Sequence, residues 1–325
     1  RTGSVFSHGL SKPMPGATST RRALRSSLPS ATIVIASRPV NDFVMDPAPR
    51  DIARLRNVSG VKVIDGPENR VLFLGMDQQR DDLLYGNVKG RNPFKDIRVR
   101  RALYHAIDIE TIKTKLMNGQ SVPTGSYMPA PIANFNDAEL EKRLPFDLPL
   151  ARRLMAEAGY ADGFEVTIDC PNNRYVNDEE ICIALAGQWA QIKVKVRVNA
   201  MPRSTYFQKL EKFDTSFYLL GWGGAVTDAE TTMTPVMRNV GEKGIGQYNY
   251  GRSRNDKFDA LAAQSSIEPD AKKREDLIKA ALREWREQLH SIPLHRQVIP
   301  WAARSNVDVV HRADNWLEVP WVTIK

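Results

Sequence analysis

Two spacings of apolar residues alternate along the body of the chain and separate predicted strands from predicted helices. Apolar residues at every second position over 164–168 predict a strand, and the segments 194–198 and 217–220 predict two more. Helical spacing over 178–192 and 204–212 fills the intervals between these strands. Strands that alternate with helices are typical of an α/β layer with parallel strands, which is the fold class that we predict.

Amphipathic spacing favours further helices before and after this unit. One helix follows Pro93 and Asp96, and another follows Asp108, which can cap it. A third helix ends at Gly159, and a fourth covers 269–290. The predicted inner face of the third helix consists of Leu150, Leu154 and Ala158.

The segment before residue 93 predicts shorter elements. Asp51 can cap a brief helix. Two strand candidates follow at 61–64 and 70–75, and the tripeptide Asp65-Gly66-Pro67 between them is a turn signal. Near the carboxyl terminus, 292–303 predicts a further extended segment. The chain therefore begins and ends with strands around its helical middle.

Composition bounds the class of protein. A length of 325 residues exceeds one average core, so two lobes are expected. A hydrophobic content of 42% and a charged content of 26% are ordinary for a globular protein. No apolar run reaches the ~18 residues of a membrane helix. Cys170 and Cys182 are too few for a disulfide scaffold and lack metal-ligand spacing, and the sequence leaves open whether they form one bridge.

The net charge of +8 is concentrated in the first 38 residues. This head contains six basic residues and no acidic one, whereas the remainder is nearly balanced. A nucleic-acid arm would need denser basic clusters, so no nucleic-acid partner is expected. The Arg- and Ser-rich composition is also similar to an organelle transit peptide, and no apolar stretch of a secretory signal precedes Ile33. We expect residues 1–38 to be a disordered or non-native head without a signal peptide.

The stretch 215–232 contains the most informative local pattern. Its predicted strand ends at a group of glycines around one tryptophan, and Asp228 follows in front of a plausible helix. Glycines let a backbone approach a ligand closely, and a tryptophan offers a flat apolar wall. One interpretation is therefore the floor of a binding crevice. The alternative is a buried tryptophan packed over a glycine-rich turn.

Four blocks of sequence carry a resemblance to a known family. They resemble the signature segments of peptide-type solute-binding proteins of ABC transporters, the dipeptide and oligopeptide binders of family 5, and their order and spacing agree as well. The resemblance covers roughly 39–325. The blocks are NPFKDIRVRRAL with HAID at 92–108, LMAEAGYADGF at 154–164, LLGWG at 219–223 and IPLH at 292–295.

The resemblance implies a type II periplasmic-binding-protein clamshell, in which two α/β lobes enclose a peptide-like ligand. Family members lie in the periplasm or outside the cell and deliver the ligand to permease subunits. On this basis 39–92 is expected to be a remnant of the first lobe, 93–292 the second lobe, and 293–325 strands that return to the first lobe. Only part of the first lobe is thus expected, as in a truncated chain, and such a chain should bind peptide weakly or not at all.

The resemblance also suggests ligand-binding residues. In dipeptide-binding relatives an arginine after a strand end pairs with the peptide carboxylate, and CPNNRY places Arg174 there, with Tyr175 beside it. A guanidinium forms strong bidentate pairs with a carboxylate, whereas the alternative is a solvated loop arginine. The family's amine-binding aspartate falls at Ala225, so the ligand need not be a plain dipeptide. The expected site also includes Trp222, Gly223, Gly224 and Asp228, although Asp228 is equally suited to cap a helix.

Enzymatic readings have less support. Asp77, Asp81 and Asp82 lack a distant partner for a metal, and Ser126 and Ser216 lack a nucleophile elbow. We therefore predict no catalysis, no cofactor and no metal. Three functions remain open: a solute-binding component of peptide uptake, a truncated remnant that does not transport, and, with the least support, a hydrolase on the same architecture.

Overall fold

The structure, a computed structural model, describes residues 32–33, 42–128, 137–223 and 228–325. Most of the predicted head, 1–38, lies outside the described residues. The strands in the described part are β1 (Thr32–Ile33), β2 (Phe43–Met45), β3 (Val61–Met76), β4 (Ser121–Pro123), β5 (Phe164–Pro171), β6 (Val194–Met201), β7 (Phe217–Trp222), β8 (Ser291–Arg304), β9 (Val307–Asp308) and β10 (Thr323–Ile324).

β9 and β10 form a separate two-stranded sheet, and the other eight strands form a main sheet that helices cover on both faces. Short 3-10 or π turns extend α3, α6 and α8 at their carboxyl ends. None of the described helices combines the length and apolarity needed to cross a membrane. The described helices are α1 (Pro49–Arg56), α2 (Ile97–His105), α3 (Ile109–Thr111), α4 (Ala138–Glu141), α5 (Leu148–Glu157), α6 (Asp178–Trp189), α7 (Arg203–Glu211), α8 (Glu230–Thr232), α9 (Asp256–Ile267) and α10 (Ala271–Gln288).

The main sheet is mixed. Its strands follow the order β1-β2-β8-β3-β7-β5-β6, and β4 pairs with β8. The predicted parallel strands are present, because β5 runs parallel to both β6 and β7. The long strands β3 and β8 run antiparallel to their neighbours, so the predicted parallel layer is only part of the sheet.

The predicted turn at Asp65-Gly66-Pro67 is wrong, because β3 continues through it. These three residues pair with Pro300, Ile299 and Val298 of β8. The register shifts only afterwards, between Pro67 and Val71. A continuous partner strand thus overrides the local turn preference of a Gly-Pro pair, and the irregularity becomes a β-bulge.

Alternate residues of the central strands enter two different cores. Leu72 and Leu74 of β3 join the core that faces α2, α5 and α6. Val71 and Phe73 join the core that faces α7, α9 and α10. A strand buried on both faces reads as an uninterrupted apolar run, which explains the sequence pattern over 217–220.

A third, smaller core lies at the other end of β3 and β8. The ring centroids of Phe43 and Trp301 are 5.4 Å apart in an edge-to-face arrangement, and Ala303 and Val307 complete the buried set. We call this part the small unit: β2 with Asp46, the first half of β3, the last half of β8, and 305–325. It is one portion of 39–92 and 293–325, the ranges that the sequence assigns to the first lobe.

Two local predictions about helices need correction. Asp51 does not cap α1, which begins at Pro49 and contains Asp51 in its first turn. The buried face of α5 is Ala151 and Met155, continued by Ala158, whereas Leu150 and Leu154 are half-buried. Asp96 and Asp108 do cap α2 and α3, because their carboxylates accept from Arg98 N at 2.9 Å and Thr111 N at 3.0 Å.

We expect a methyl group to have opposite effects at two glycines of this fold. A Cβ at Gly75 would lie 2.0 Å from the Tyr218 ring across the sheet, whereas a Cβ at Gly187 in α6 would meet nothing within 4 Å. Gly75→Ala should lower the free energy of unfolding by about 1–3 kcal/mol through overpacking. Gly187→Ala should raise it by about 0.5–1 kcal/mol through helix propensity. Urea unfolding of both variants measures this, and equal effects would contradict the packing described.

Candidate functional site

A cleft of about 400 Å³ lies where the main sheet meets the small unit. One part of its lining is the segment that follows β5, together with the start of α7. Another part comes from the bulge of β3, from Gln297 of β8, and from Asp46 and Asn315 of the small unit. The cleft therefore lies at the carboxyl ends of parallel strands, where ligands bind in open α/β sheets.

The carboxylate of Asp178 folds the segment after β5. It accepts from Arg174 N at 2.8 Å and Tyr175 N at 3.0 Å, and its other oxygen accepts from Glu179 N at 3.1 Å. Asn177, just before α6, has a φ of 54°, in the left-handed region that asparagine tolerates. The first residues of α6 thus fix the backbone of the segment after β5, and this backbone positions Arg174.

A disulfide between Cys170 and Cys182 closes the same segment. It joins the end of β5 to α6, and both residues are fully buried. The pairing that the sequence left open is therefore formed. Since disulfides persist in oxidising surroundings, this bridge is compatible with a protein that is located outside the cytosol.

Tyr175 links this segment to the end of β7. Its ring is buried, and its hydroxyl accepts from Gly221 N at 2.8 Å and donates to Gly221 O at 3.3 Å. A Cβ at Gly221 would lie 2.7 Å from the Tyr175 ring and 2.9 Å from Arg70 Cδ, so only glycine fits. Burial raises the pKa of Tyr175, which keeps the phenol protonated as a donor. Gly221, the glycine just before Trp222, is thus required because a larger residue would collide with the Tyr175 ring.

Arg174 is a half-buried cation without an ion pair among the described residues. Its guanidinium lies 5.0 Å from the Tyr175 ring centroid, and that of Arg70 lies 5.9 Å from the same ring. Burial lowers the pKa of Arg174, and the positive charge of Arg70 adds to this effect. Because desolvated charge is costly, an anion placed here would be bound favourably.

Two acidic side chains occupy another part of the cleft. Glu68 is only 2% exposed and forms a salt bridge with Arg70. With the Gln297 amide oriented to satisfy both of its groups, its nitrogen donates to Glu68 Oε2 at 3.2 Å. The carboxylate of Asp46 accepts from Asn315 Nδ2 at 2.8 and 3.0 Å. Burial raises the pKa values of both carboxyl groups, and their neighbouring donors and cations oppose this.

The structure brings together only part of the site expected from sequence. Arg174 and Tyr175 line the cleft. Trp222 is half-buried outside that lining, where its indole donates to Thr231 O at 3.0 Å and its ring lies 4.8 Å from Tyr248. This environment matches the alternative of a tryptophan packed beside a turn. Ligand contact by Trp222 stays a prediction.

The other expected residues have local roles in the structure. A Cβ at Gly223 would lie 2.4 Å from Asn69 O, so this glycine permits close strand packing. Asp228 accepts from Glu230 N at 2.8 Å and pairs with Arg274 at 2.9 Å, which fits the helix-capping alternative. Gly224 and Ala225 lie outside the described residues.

Sequence reasoning missed six charged residues of the cleft: Asp46, Glu68, Arg70, Asp178, Glu180 and Arg203. Glu68 and Arg70 did leave a signal, because they are charged residues between two largely apolar runs, directly after Gly66-Pro67. Asp46 and Arg203 left none, since they reach the cleft only through sheet pairing. The three aspartates considered for a metal have structural partners: Asp77 pairs with Arg80, Asp81 pairs with Lys95, and Asp82 accepts from Gly90 N.

Comparison with known proteins identifies the family. Residues 40–244 match the family model described as bacterial extracellular solute-binding proteins, family 5 Middle. Heme-binding protein A of Haemophilus influenzae is 25% identical over 274 residues, which are 82% of this chain and 47% of the relative. The "Probable deoxycholate-binding periplasmic protein YgiS" of Escherichia coli is 28% identical over 209 residues, 63% of this chain and 38% of the relative. The chain thus spans about half the length, or less, of the curated relatives it matches.

A solved structure supports the fold. The dipeptide-binding protein from Pseudoalteromonas sp. SM9913, in complex with Met-Leu, superposes with a TM-score of 0.73 at 21% sequence identity. The match covers 88% of this chain and 54% of that protein. The described chain therefore has the fold of a type II periplasmic binding protein, as the sequence predicted.

The disulfide should stabilise the cleft segment through the unfolded state. The bridge closes a loop with a sequence separation of 12, and loops of that size contribute about 2–4 kcal/mol. We expect the double variant Cys170→Ser/Cys182→Ser to lose that much free energy of unfolding in a urea titration. Reductant should destabilise the natural chain by a similar amount and leave the double variant unchanged. An equally stable double variant would show that the bridge has no role in folding.

Proposed function

The chain belongs to the bacterial extracellular solute-binding proteins of family 5, and we propose that it is the substrate-binding component of an ABC-type peptide uptake system. Its role is to bind a peptide or peptide-like solute outside the cytoplasm and deliver it to permease subunits in the membrane. The observation that carries the proposal is Arg174, a half-buried guanidinium in a cleft of about 400 Å³ that forms no ion pair within the described residues.

The ligands in the names of related proteins share one chemical group. Heme, deoxycholate and the dipeptide Met-Leu differ in size and polarity, yet each contains a carboxylate. A guanidinium with a fixed backbone and an aromatic neighbour suits such a group, because it can form two parallel hydrogen bonds with it. We therefore assign the carboxylate of the ligand to Arg174, with Tyr175 as the residue that holds the arginine in place.

The remaining lining suits the polar backbone of a peptide. Asn172 and Asn173 on the β5 side, with Gln297 and Asn315 on the other, offer amide donors and acceptors. In this proposal 93–292 is the second lobe, and 39–92 with 293–325, which include the small unit, belong to the first. The long strands β3 and β8 join the small unit to the main sheet at the cleft, which supports a clamshell that binds its ligand between the lobes.

Loss of the Arg174 charge should weaken binding of peptides with a free carboxyl end. We expect Arg174→Gln to reduce affinity by about 1.5–3 kcal/mol, which is ~10–150-fold, because a charge-assisted hydrogen-bond pair is lost. Calorimetric titration of the chain, extended to millimolar concentrations of Ala-Ala, measures this. Arg153→Gln on the exposed face of α5 is the matched control, since it removes the same charge away from the cleft.

Two results would count against the proposal. Equal affinity of the natural chain for Ala-Ala and its carboxyl-terminal amide would remove Arg174 from carboxylate binding. A failure to bind any member of a di- and tripeptide panel would favour the alternative of a chain that does not transport.

A further inference from the structure

Two positive charges that line the cleft have no ion pair within the described residues. Three arginines line it: Arg70, Arg174 and Arg203. Arg70 is neutralised by its salt bridge with Glu68. Within the described part of the chain, neither Arg174 nor Arg203 forms an ion pair. Two guanidinium groups of one cleft are therefore available to a ligand.

The backbones that carry these two arginines are neighbours. β5 and β6 are parallel and in register up to Pro171 and Met201, and Asn172 N donates to Met201 O at 3.0 Å. The Arg203 amide then donates to Asn173 Oδ1 at 2.8 Å. Since paired strands lie about 4.8 Å apart, both side chains start from the same end of the sheet. Arg70 and Arg203 each lower the pKa of Arg174, whereas Glu68 opposes this, so the charges are close enough to interact.

Four acidic residues line the cleft: Asp46, Glu68, Asp178 and Glu180. Glu180 is exposed and interacts electrostatically with Asp178. The Asp178 carboxylate is occupied by three backbone N–H groups of its own segment. Asp46 lies on the small-unit side, where it accepts from Asn315 and interacts with Glu68 and Arg70. Within the described residues, the two arginines without an ion pair thus lie at the β5–β6 end of the cleft, whereas Asp46 and Glu68 lie toward the small unit.

We propose that Arg174 and Arg203 bind two separate carboxylates at one end of the same ligand, so that the solute is a peptide whose carboxyl-terminal residue is acidic. This inference rests on the proposed function and deepens it. Arg174 takes the terminal carboxylate, and Arg203, at the exposed start of α7, takes the side-chain carboxylate. The amino end of the peptide then points toward Asp46. Arg70 and Glu68 remain a neutral pair beneath the ligand.

Matched dipeptides test this assignment. Ala-Glu and Ala-Gln are nearly isosteric and differ in one group, a side-chain carboxylate in place of an amide. Ala-Ala is the reference, because its second side chain has neither group. In calorimetric titrations of the natural chain at low salt, we expect Ala-Glu to bind about tenfold more tightly than Ala-Gln, because a charge-assisted bond replaces a neutral one. Arg203→Gln should reduce this ratio to within about twofold. Arg203 is exposed, so folding of this variant can be verified by circular dichroism.

A second variant distinguishes Arg203 from Arg70. Glu68→Gln/Arg70→Gln replaces the neutral ion pair by a neutral amide pair, and the preference for Ala-Glu should persist in it. Loss of the preference in this variant and its retention in Arg203→Gln would assign the second carboxylate to Arg70 and overturn the inference. Equal binding of Ala-Glu and Ala-Gln by the natural chain would also overturn it. Binding of none of the three dipeptides would instead refute the proposed function itself.

Discussion

The antiparallel pairing of β3 with β8 is the constraint on which the rest of the structure depends. It extends from Val61 opposite Arg304 to Gly75 opposite Ser291. One half of this ribbon carries the small unit, and the other half forms the centre of the main sheet. An isolated two-stranded ribbon is only marginally stable in water, so each half depends on the core that covers it. Between the two cores the ribbon has polar surroundings, and the cleft opens there.

The bulge of β3 lies at this same point and sets the chemistry of the cleft. A register shift turns side chains away from the strict in-and-out alternation of a strand. Glu68 and Arg70 occupy the shifted positions, and they pair with each other where no apolar core is available. A buried ion pair of this kind adds little stability by itself, but it fixes the local charge pattern around Arg174.

Local periodicity was enough to predict the β5–α6–β6–α7–β7 unit, because each element there buries one face against its sequence neighbours. It failed at β3, where the turn preference of Gly66-Pro67 lost to pairing with a strand more than two hundred residues away. The residues of the cleft also differed in how far the sequence predicted them. Arg174 was predictable from its motif beside a strand end, whereas Asp46 and Arg203 reach the cleft only through the pairing of their strands. The segment Gly221-Trp222 has structural roles that its sequence did not predict, because Gly221 leaves room for the Tyr175 ring and the Trp222 indole donates to a backbone carbonyl.

Three interactions fix the segment after β5, and this affects the free energy of ligand binding. The Asp178 carboxylate, the Tyr175 hydroxyl and the disulfide already hold this backbone in one conformation before any solute arrives. The protein therefore loses little conformational entropy in this segment when a ligand binds. Association also does not require a loop to become ordered first. Related solutes would then differ in how long they stay bound far more than in how fast they arrive.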